Sequence, residues 1–220
     1  IRCTILDRAT REETQLPPLA ELESLRGPIG ASWSPDSRRI AFTHLLDDDS
    51  IGTRVTYSVF DTQTGEIESD WPGLFDIDDI ARVVSMLNWS PDGKWLAFNA
   101  QYGSNNTFRL VVVNTDTKEI EPDWVIFPDG FAGDGIGTME WSPDSKRLAI
   151  TYSAAVYNPP LHPYVVVNAE TKEVETDWPE YIQPSPPATT ILVPTRVRWS
   201  PDGEILVLAL FYGSTSERDS

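Results

Sequence analysis

The imidazole and thiol chemistry open to this chain rests on three residues, His44, His162 and Cys3. A Ser–His–Asp triad would need one of these histidines beside a serine on a strained turn, and no Gly-x-Ser-x-Gly occurs. A single cysteine rules out an intrachain disulfide and a zinc–cysteine cluster, and Cys3 reads as a core thiol. No catalytic set is therefore expected. Carboxylates are plentiful instead, in Asp47-Asp48-Asp49-Ser50, Asp76-Ile77-Asp78-Asp79, Asp129-Gly130 and Asp134-Gly135. Clustered oxygens suit a hard cation such as Ca2+, which makes Asp47, Asp49, Asp76 and Asp78 candidate ligands. None follows the Asp-x-Asp-x-Asp-Gly spacing, however, and a solvated acidic rim accounts for the same residues. No other cofactor is expected.

Contact with another protein is the second chemistry on offer. Asp47, Asp48, Asp49, Asp76, Asp78 and Asp79 are candidates for it. So are Pro184, Pro186 and Pro187 in the stiff segment Gln183–Ala188, which cannot pair as an inner strand. Asn158–Pro163 is similar, and Asn105-Asn106-Thr107 fits a glycosylation sequon. Acidic residues number 34 against 17 basic, a net charge of −17. That excludes a nucleic-acid or anionic-membrane partner, which would need a basic face. No apolar run approaches the roughly 20 residues of a membrane span, so direct insertion is not expected. A hydrophobic fraction of 40% with eight Trp excludes a disordered acidic tail. Eighteen Pro and thirteen Gly mark many turns and little long helix. The chain opens at Ile1 rather than Met, which leaves room for a leader or a larger parent.

These residues hang on a repeat. Trp33-Ser34-Pro35-Asp36 recurs at Trp89-Ser90-Pro91-Asp92, Trp141-Ser142-Pro143-Asp144 and Trp199-Ser200-Pro201-Asp202, at intervals of 56, 52 and 58 residues. A second motif, Asp/Asn-x-x-Thr-Gly/Lys-Glu, follows in phase from Asp61, Asn114 and Asn168 and ends in Asp-Trp at Trp71, Trp124 and Trp178. A weaker copy starts at Asp7 and reads Leu16-Pro17 where the others have Asp-Trp. Ser-Pro-Asp-Gly suits a type I turn, with Pro presetting φ and Asp bonding nearby N–H groups. Short apolar strands follow it over 39–43, 95–99, 147–151 and 205–209, the pattern of strands buried on both faces. Strands 57–60, 110–113 and 164–167 lead into the second turn. A fourth strand, 66–71 in the first full copy, alternates apolar residues with Glu. The repeated Trp33, Trp89, Trp141, Trp199, Trp71, Trp124 and Trp178 are assigned to packing between units, and Asp36, Asp92, Asp144 and Asp202 to the turns.

Four-stranded units at this period are blades, so the expected fold is an all-β β-propeller. The Trp-Ser-Pro-Asp-Gly…Leu-Ala-Phe pattern resembles the WD40-like (PD40) repeat of TolB-type β-propellers, a repeat also found in the propellers of prolyl-oligopeptidase-like peptidases. The expected units are 25–75, 80–128, 134–182 and a shared blade of 1–24 with 194–220. In that arrangement Ile1–Leu6 pairs with Ile205–Phe211 to close a ring of four blades; a segment of a larger propeller fits the same pattern. The expected role is a non-catalytic module that binds another protein. Two rivals stand: a substrate-gating propeller of a peptidase-like enzyme whose catalytic domain lies elsewhere, and a propeller that binds a cation or small ligand. The resemblance implies a bacterial, exported setting, periplasmic or extracellular.

Overall fold

Each repeat reverses direction at its Ser-Pro-Asp turn, and a computed structural model shows what holds that turn. It describes residues 4–6, 8–15, 30–48, 52–72, 80–102, 107–122, 124, 136–152, 164–179 and 190–214. The N–H of the fourth turn residue donates to the serine carbonyl, at 3.0 Å from Ser37 to Ser34 and 2.9 Å from Gly93 to Ser90. The serine hydroxyl donates to the aspartate in all four copies, at 2.5 to 2.7 Å. The same carboxylate accepts the N–H of Arg38, Lys94, Lys146 or Glu204. The serine oxygen in turn accepts the N–H of Arg39, Trp95, Arg147 or Ile205, the residue that opens or leads into the next strand. The fourth position is left-handed, with φ of 59° at Ser37, 75° at Gly93, 62° at Ser145 and 76° at Gly203, which explains why glycine alternates there with a small residue. The Ser34 hydroxyl and then the Arg38 amide hold the Asp36 carboxyl below its ordinary range. The Ser142 hydroxyl does the same for Asp144 against the opposing effect of burial, and the Ser200 hydroxyl for Asp202.

The strands, numbered along the chain, are β1 (Thr4–Leu6), β2 (Glu13–Gln15), β3 (Gly30–Trp33), β4 (Arg39–Asp48), β5 (Gly52–Asp61) and β6 (Glu66–Glu68). Then come β7 (Ile80–Trp89), β8 (Trp95–Tyr102), β9 (Thr107–Asn114), β10 (Glu119–Ile120), β11 (Ile136–Trp141), β12 (Arg147–Tyr152), β13 (Tyr164–Asn168), β14 (Thr190–Trp199) and β15 (Leu206–Ser214). They form antiparallel sheets β3-β4-β5-β6, β7-β8-β9-β10 and β11-β12-β13, with the pairs β1-β2 and β14-β15. The fold is all-β, and its sheets have the strand order of propeller blades. In the third sheet the fourth strand shrinks to one bridge, Val167 to Val174. The first sheet's fourth strand stops at Glu68 instead of running to Trp71, because a turn at Ser69–Asp70 swings the indole inward. The second turn is closed by Asp61, Asn114 and Asn168, each accepting two backbone N–H groups. Its last position is left-handed in every copy, at Arg11, Gly65, Lys118 and Lys172.

The core lies between sheets. Leu96, Phe98, Val111 and Val113 face the first sheet's Ala41, Val59 and Trp71, while Ala97, Val112 and Trp124 face the third sheet's Trp141, Leu148 and Ile150. The second strands of the first three sheets are buried on both faces, as expected, with Leu96, Ala97, Phe98, Leu148, Ala149 and Ile150 all at 0% exposure, whereas in β15 the same expectation fails, with Val207 59% exposed. Two further expectations fail at the chain's ends. Among the described residues β1 pairs only with β2 and β15 only with β14, so the pairing that would close a four-bladed ring is not found between them. Ile5 packs against Ile40, Phe42 and Phe60, and Leu206 and Leu208 pack against Ala149, Tyr164 and Val166, contacts that a paired β1 and β15 would equally make. Trp33, assigned with the other repeated Trp to packing between units or at a unit's edge, is 49% exposed, and no sheet of the described residues covers it.

Replacing Asp144 by Ala removes a charged acceptor of two hydrogen bonds and should cost about 1 kcal/mol in urea unfolding. Because the folded carboxyls of Asp36, Asp144 and Asp202 titrate below the ordinary value of 3.8, the stability they add is complete above that value. It should be lost as pH falls through their lower folded values, so the melting temperature of Asp144→Ala should fall less on acidification below pH 3.8 than that of the parent.

Candidate functional site

β4 ends in Asp47 and Asp48, whose backbones pair with Thr53 and Gly52. The other candidates, Asp49, Asp76, Asp78, Asp79, Pro184, Pro186 and Pro187, lie outside the described residues, as do His162, Cys3, Asp129 and Asp134. Among the described residues no three His, Cys, Asp or Glu side chains come together as metal ligands. The strands nevertheless fix where the acidic and proline-rich segments attach. Residues 49–51, 103–106 and 153–163 connect second to third strands, and 73–79, 125–135 and 180–189 connect one sheet to the next. Antiparallel pairing places all these attachment points at one end of the sheets, opposite the Ser-Pro-Asp turns. These six segments contain no Lys or Arg and hold Asp49, Asp76, Asp78, Asp79, Asp129, Asp134 and Glu180; residues 16–29, which join the β1-β2 hairpin to the first sheet from the same end, carry Glu21, Glu23 and Arg26.

His44 lies at 3% exposure on β4, with Nε2 2.8 Å from the Ser58 hydroxyl and its ring 5.7 Å from that of Phe42. The sequence did not anticipate this pair. Among the described residues it is a Ser–His contact only: Asp61, the buried acid of the same sheet, is engaged by other groups. Asp61 is three residues on from Ser58, where it accepts the Thr64 and Gln63 amides and pairs with Arg38 at 2.9 Å. Those bonds, the Thr64 amide first, hold Asp61 ionised and fully engaged. Ser58 itself sits mid-strand opposite Phe42, not on a strained turn.

The densest polar cluster is one the sequence reading missed. Glu68 accepts Arg39 Nε at 2.8 Å, the Trp71 indole N–H at 2.7 Å and Lys118 Nζ at 2.7 Å. Lys118 reaches over from the second sheet, also bonds both Asp70 oxygens, and lies 5.8 Å from the Trp71 ring centroid. Burial opposes ionisation of Glu68, yet Lys118, Arg39 and Trp71 together keep its carboxyl below the usual range. In the third sheet Glu175 accepts Arg147 Nε at 3.0 Å, the Trp178 indole at 2.7 Å and the Asn168 amide at 3.2 Å. In the second, Trp95 stands where the others carry arginine. Glu121 keeps Lys172 at 2.6 Å, but the buried Trp124 N–H has no acceptor among the described residues, and its ring packs edge-on against Trp95 and Trp141. The readable signal was the spacing Glu-x-Asp-Trp at Glu68–Trp71, Glu121–Trp124 and Glu175–Trp178, with a lysine of the next repeat at the end of its turn. These carboxylates are held by cations and indoles and are structural ties rather than reactive groups.

First-strand tryptophans form the other tie. The indoles of Trp89, Trp141 and Trp199 donate to the carbonyls of Ser32, Asn88 and Glu140, each being the residue before the equivalent Trp in the preceding sheet. Each also meets a fourth-strand Trp edge-on, at 5.7 Å for Trp71 and Trp89 and 5.3 Å for Trp178 and Trp199.

No family model and no curated protein sequence matches the chain. Solved structures do resemble it. The dipeptidyl peptidase 4 of Porphyromonas gingivalis superposes with a TM-score of 0.55 at 13% identity, over 95% of this chain and 34% of that one. The tricorn protease gives 0.54 at 13% identity, over 89% of this chain and 16% of that one. An oligogalacturonate lyase in complex with manganese gives 0.51 at 12% identity, over 99% of this chain and 67% of that one. The chain thus spans about a third and a sixth of the two peptidases it resembles, and the likeness is to their β-propeller domains.

Trp178→Phe breaks a hydrogen bond to a charged acceptor, whereas Trp124→Phe removes a buried donor that has none. The first should be about 1–2 kcal/mol more destabilising than the second in denaturant melts.

Proposed function

We propose that this propeller is a non-catalytic interaction module that engages a basic partner surface through the end of the sheets carrying its acidic and proline-rich segments. The supporting observation is the division of labour between the two ends. The repeated Ser, Asp, Glu and Trp side chains are tied into turns and sheet junctions, and the segments that differ between repeats leave from the opposite end, six of the seven without a Lys or Arg and the seventh, 16–29, with Arg26 beside Glu21 and Glu23. A net charge of −17 adds long-range attraction for a cationic partner. The blades are read as the PD40 type, in an exported bacterial protein. A substrate-gating role beside a peptidase domain is the second reading, favoured by the likeness to propellers of two peptidases.

Binding of a Lys-rich peptide, with a Glu-rich peptide as control, tests the charge assignment. Affinity should fall steeply as the Debye length shrinks from about 10 Å at 0.1 M salt to about 3 Å at 1 M. It should also fall when Asp47, Asp48 and Asp49 are changed to Asn, with the melting temperature unchanged. Salt-independent binding that ignores these changes would assign recognition to apolar contacts instead. Peptidase activity of the chain that is lost on His44→Ala would overturn the non-catalytic reading.

A further inference from the structure

One polar tie recurs in the three sheets that carry Glu-x-Asp-Trp, and in the second it is unfinished. Arg39, Trp95 and Arg147 each open a second strand, opposite Asp61, Asn114 and Asn168. From that position Arg39 Nε reaches Glu68 at 2.8 Å and Arg147 Nε reaches Glu175 at 3.0 Å. Each of these glutamates also accepts the indole N–H three residues on, both at 2.7 Å. With Lys118 on Glu68 and the Asn168 amide on Glu175, each carboxylate has three donors. The backbone sets Glu121 at the same place, its N–H on the Val112 carbonyl as that of Glu175 is on Val166. Yet among the described residues its carboxylate has one donor, Lys172 at 2.6 Å. Its side chain is 23% exposed against 13% for Glu68 and 15% for Glu175, so a ligand can reach it more freely.

The Trp124 indole is the other half of the deficit. It is buried, and its N–H has no acceptor among the described residues, although Glu121 precedes it by three residues as Glu68 precedes Trp71. The first and third sheets hold the carboxylate with an arginine of their own, and Trp95 cannot replace that guanidinium. Trp95 is half-buried, with its ring edge-on to Trp124 at 6.2 Å. The second junction therefore combines a carboxylate with lone pairs to spare, a buried donor that lacks that carboxylate, and a partly exposed indole whose face attracts a planar cation.

We propose that Glu121 and Trp95 form a binding site for an arginine side chain of a partner protein, which supplies the guanidinium that Arg39 and Arg147 supply in the neighbouring sheets. The guanidinium stacks on the exposed part of Trp95 and donates to Glu121, whose carboxylate then receives the Trp124 N–H as Glu68 receives that of Trp71. Arginine is selected over lysine because its planar fork can stack on an indole and still donate to a carboxylate that already holds Lys172. The site goes beyond the reading of the acidic segments, since its residues belong to a sheet junction and not to those segments.

The test titrates the full chain, carrying isotope-labelled tryptophan, with the blocked peptide acetyl-Gly-Arg-Gly-amide. The Trp124 indole N–H resonance, identified by its loss in Trp124→Phe, should move downfield as it gains a charged acceptor, while those of Trp71 and Trp178 stay. Replacing the arginine by citrulline, its neutral isostere, or making Glu121→Gln should weaken binding by about tenfold. Trp95→Arg restores the sheet's own guanidinium. It should raise the melting temperature, put the Trp124 resonance at its bound position without peptide, and abolish binding. A Trp124 resonance that stays still up to the solubility limit of the peptide would overturn the proposal. So would a Trp95→Arg variant that binds like the parent, or citrulline peptide that binds as tightly as arginine peptide. Free arginine that binds more tightly than the blocked peptide would assign the site to a small molecule and overturn the protein partner. Changing Asp47, Asp48 and Asp49 to Asn should leave this titration unaltered, so the two readings fail separately.

Discussion

The hydrogen bond from a buried indole to the carbonyl before the neighbouring sheet's tryptophan is the constraint on which the stack depends. Every sheet here is apolar on both faces, so none is stable alone and each must find a neighbour. A leucine in place of Trp89, Trp141 or Trp199 would bury comparable apolar surface but fix no register between sheets. The indole does both: its ring fills the gap against Trp71, Trp124 or Trp178, and its N–H can be satisfied only if the next sheet sits at one height. Turn-to-turn contacts then follow, such as the Asp92 amide on the Ser145 hydroxyl and Gly93 close to Pro35.

Charge is distributed by the same logic. A chain with twice as many acids as bases spends its cations where desolvation would otherwise be costly. Arg39, Lys118, Arg147 and Lys172 are all drawn into the partly buried glutamates at the sheet junctions. The segments at the other end carry more acids than bases. The second junction shows the tolerance of the arrangement. With Trp95 in place of arginine, aromatic packing replaces one ion pair, at the cost of a buried indole N–H without an acceptor.

The strand order, both turn types and the assignment of six of the seven repeated tryptophans to sheet contacts were legible in the chain. All follow from local rules: Pro and Asp at fixed places in a turn, alternation in a strand, recurrence at a fixed period. The glutamate cluster was equally present as Glu-x-Asp-Trp but carried no meaning until the structure brought a lysine from the next repeat to it. The His44–Ser58 contact was not legible, since fourteen residues separate the two and only the pairing of β4 with β5 brings them together.

By itself, then, the sequence determined an all-β chain of four-stranded repeats, the turns that reverse it and the uneven distribution of its charge. It could not determine whether the ends meet. β1 and β15 carry matching patterns, and a pattern records only which strands are able to pair. Whether they do is a long-range property, because about 200 residues separate the two strands and no local rule fixes their distance. In the tertiary structure the described strands β1 and β15 belong to separate two-stranded sheets, with Trp33 and Val207 exposed.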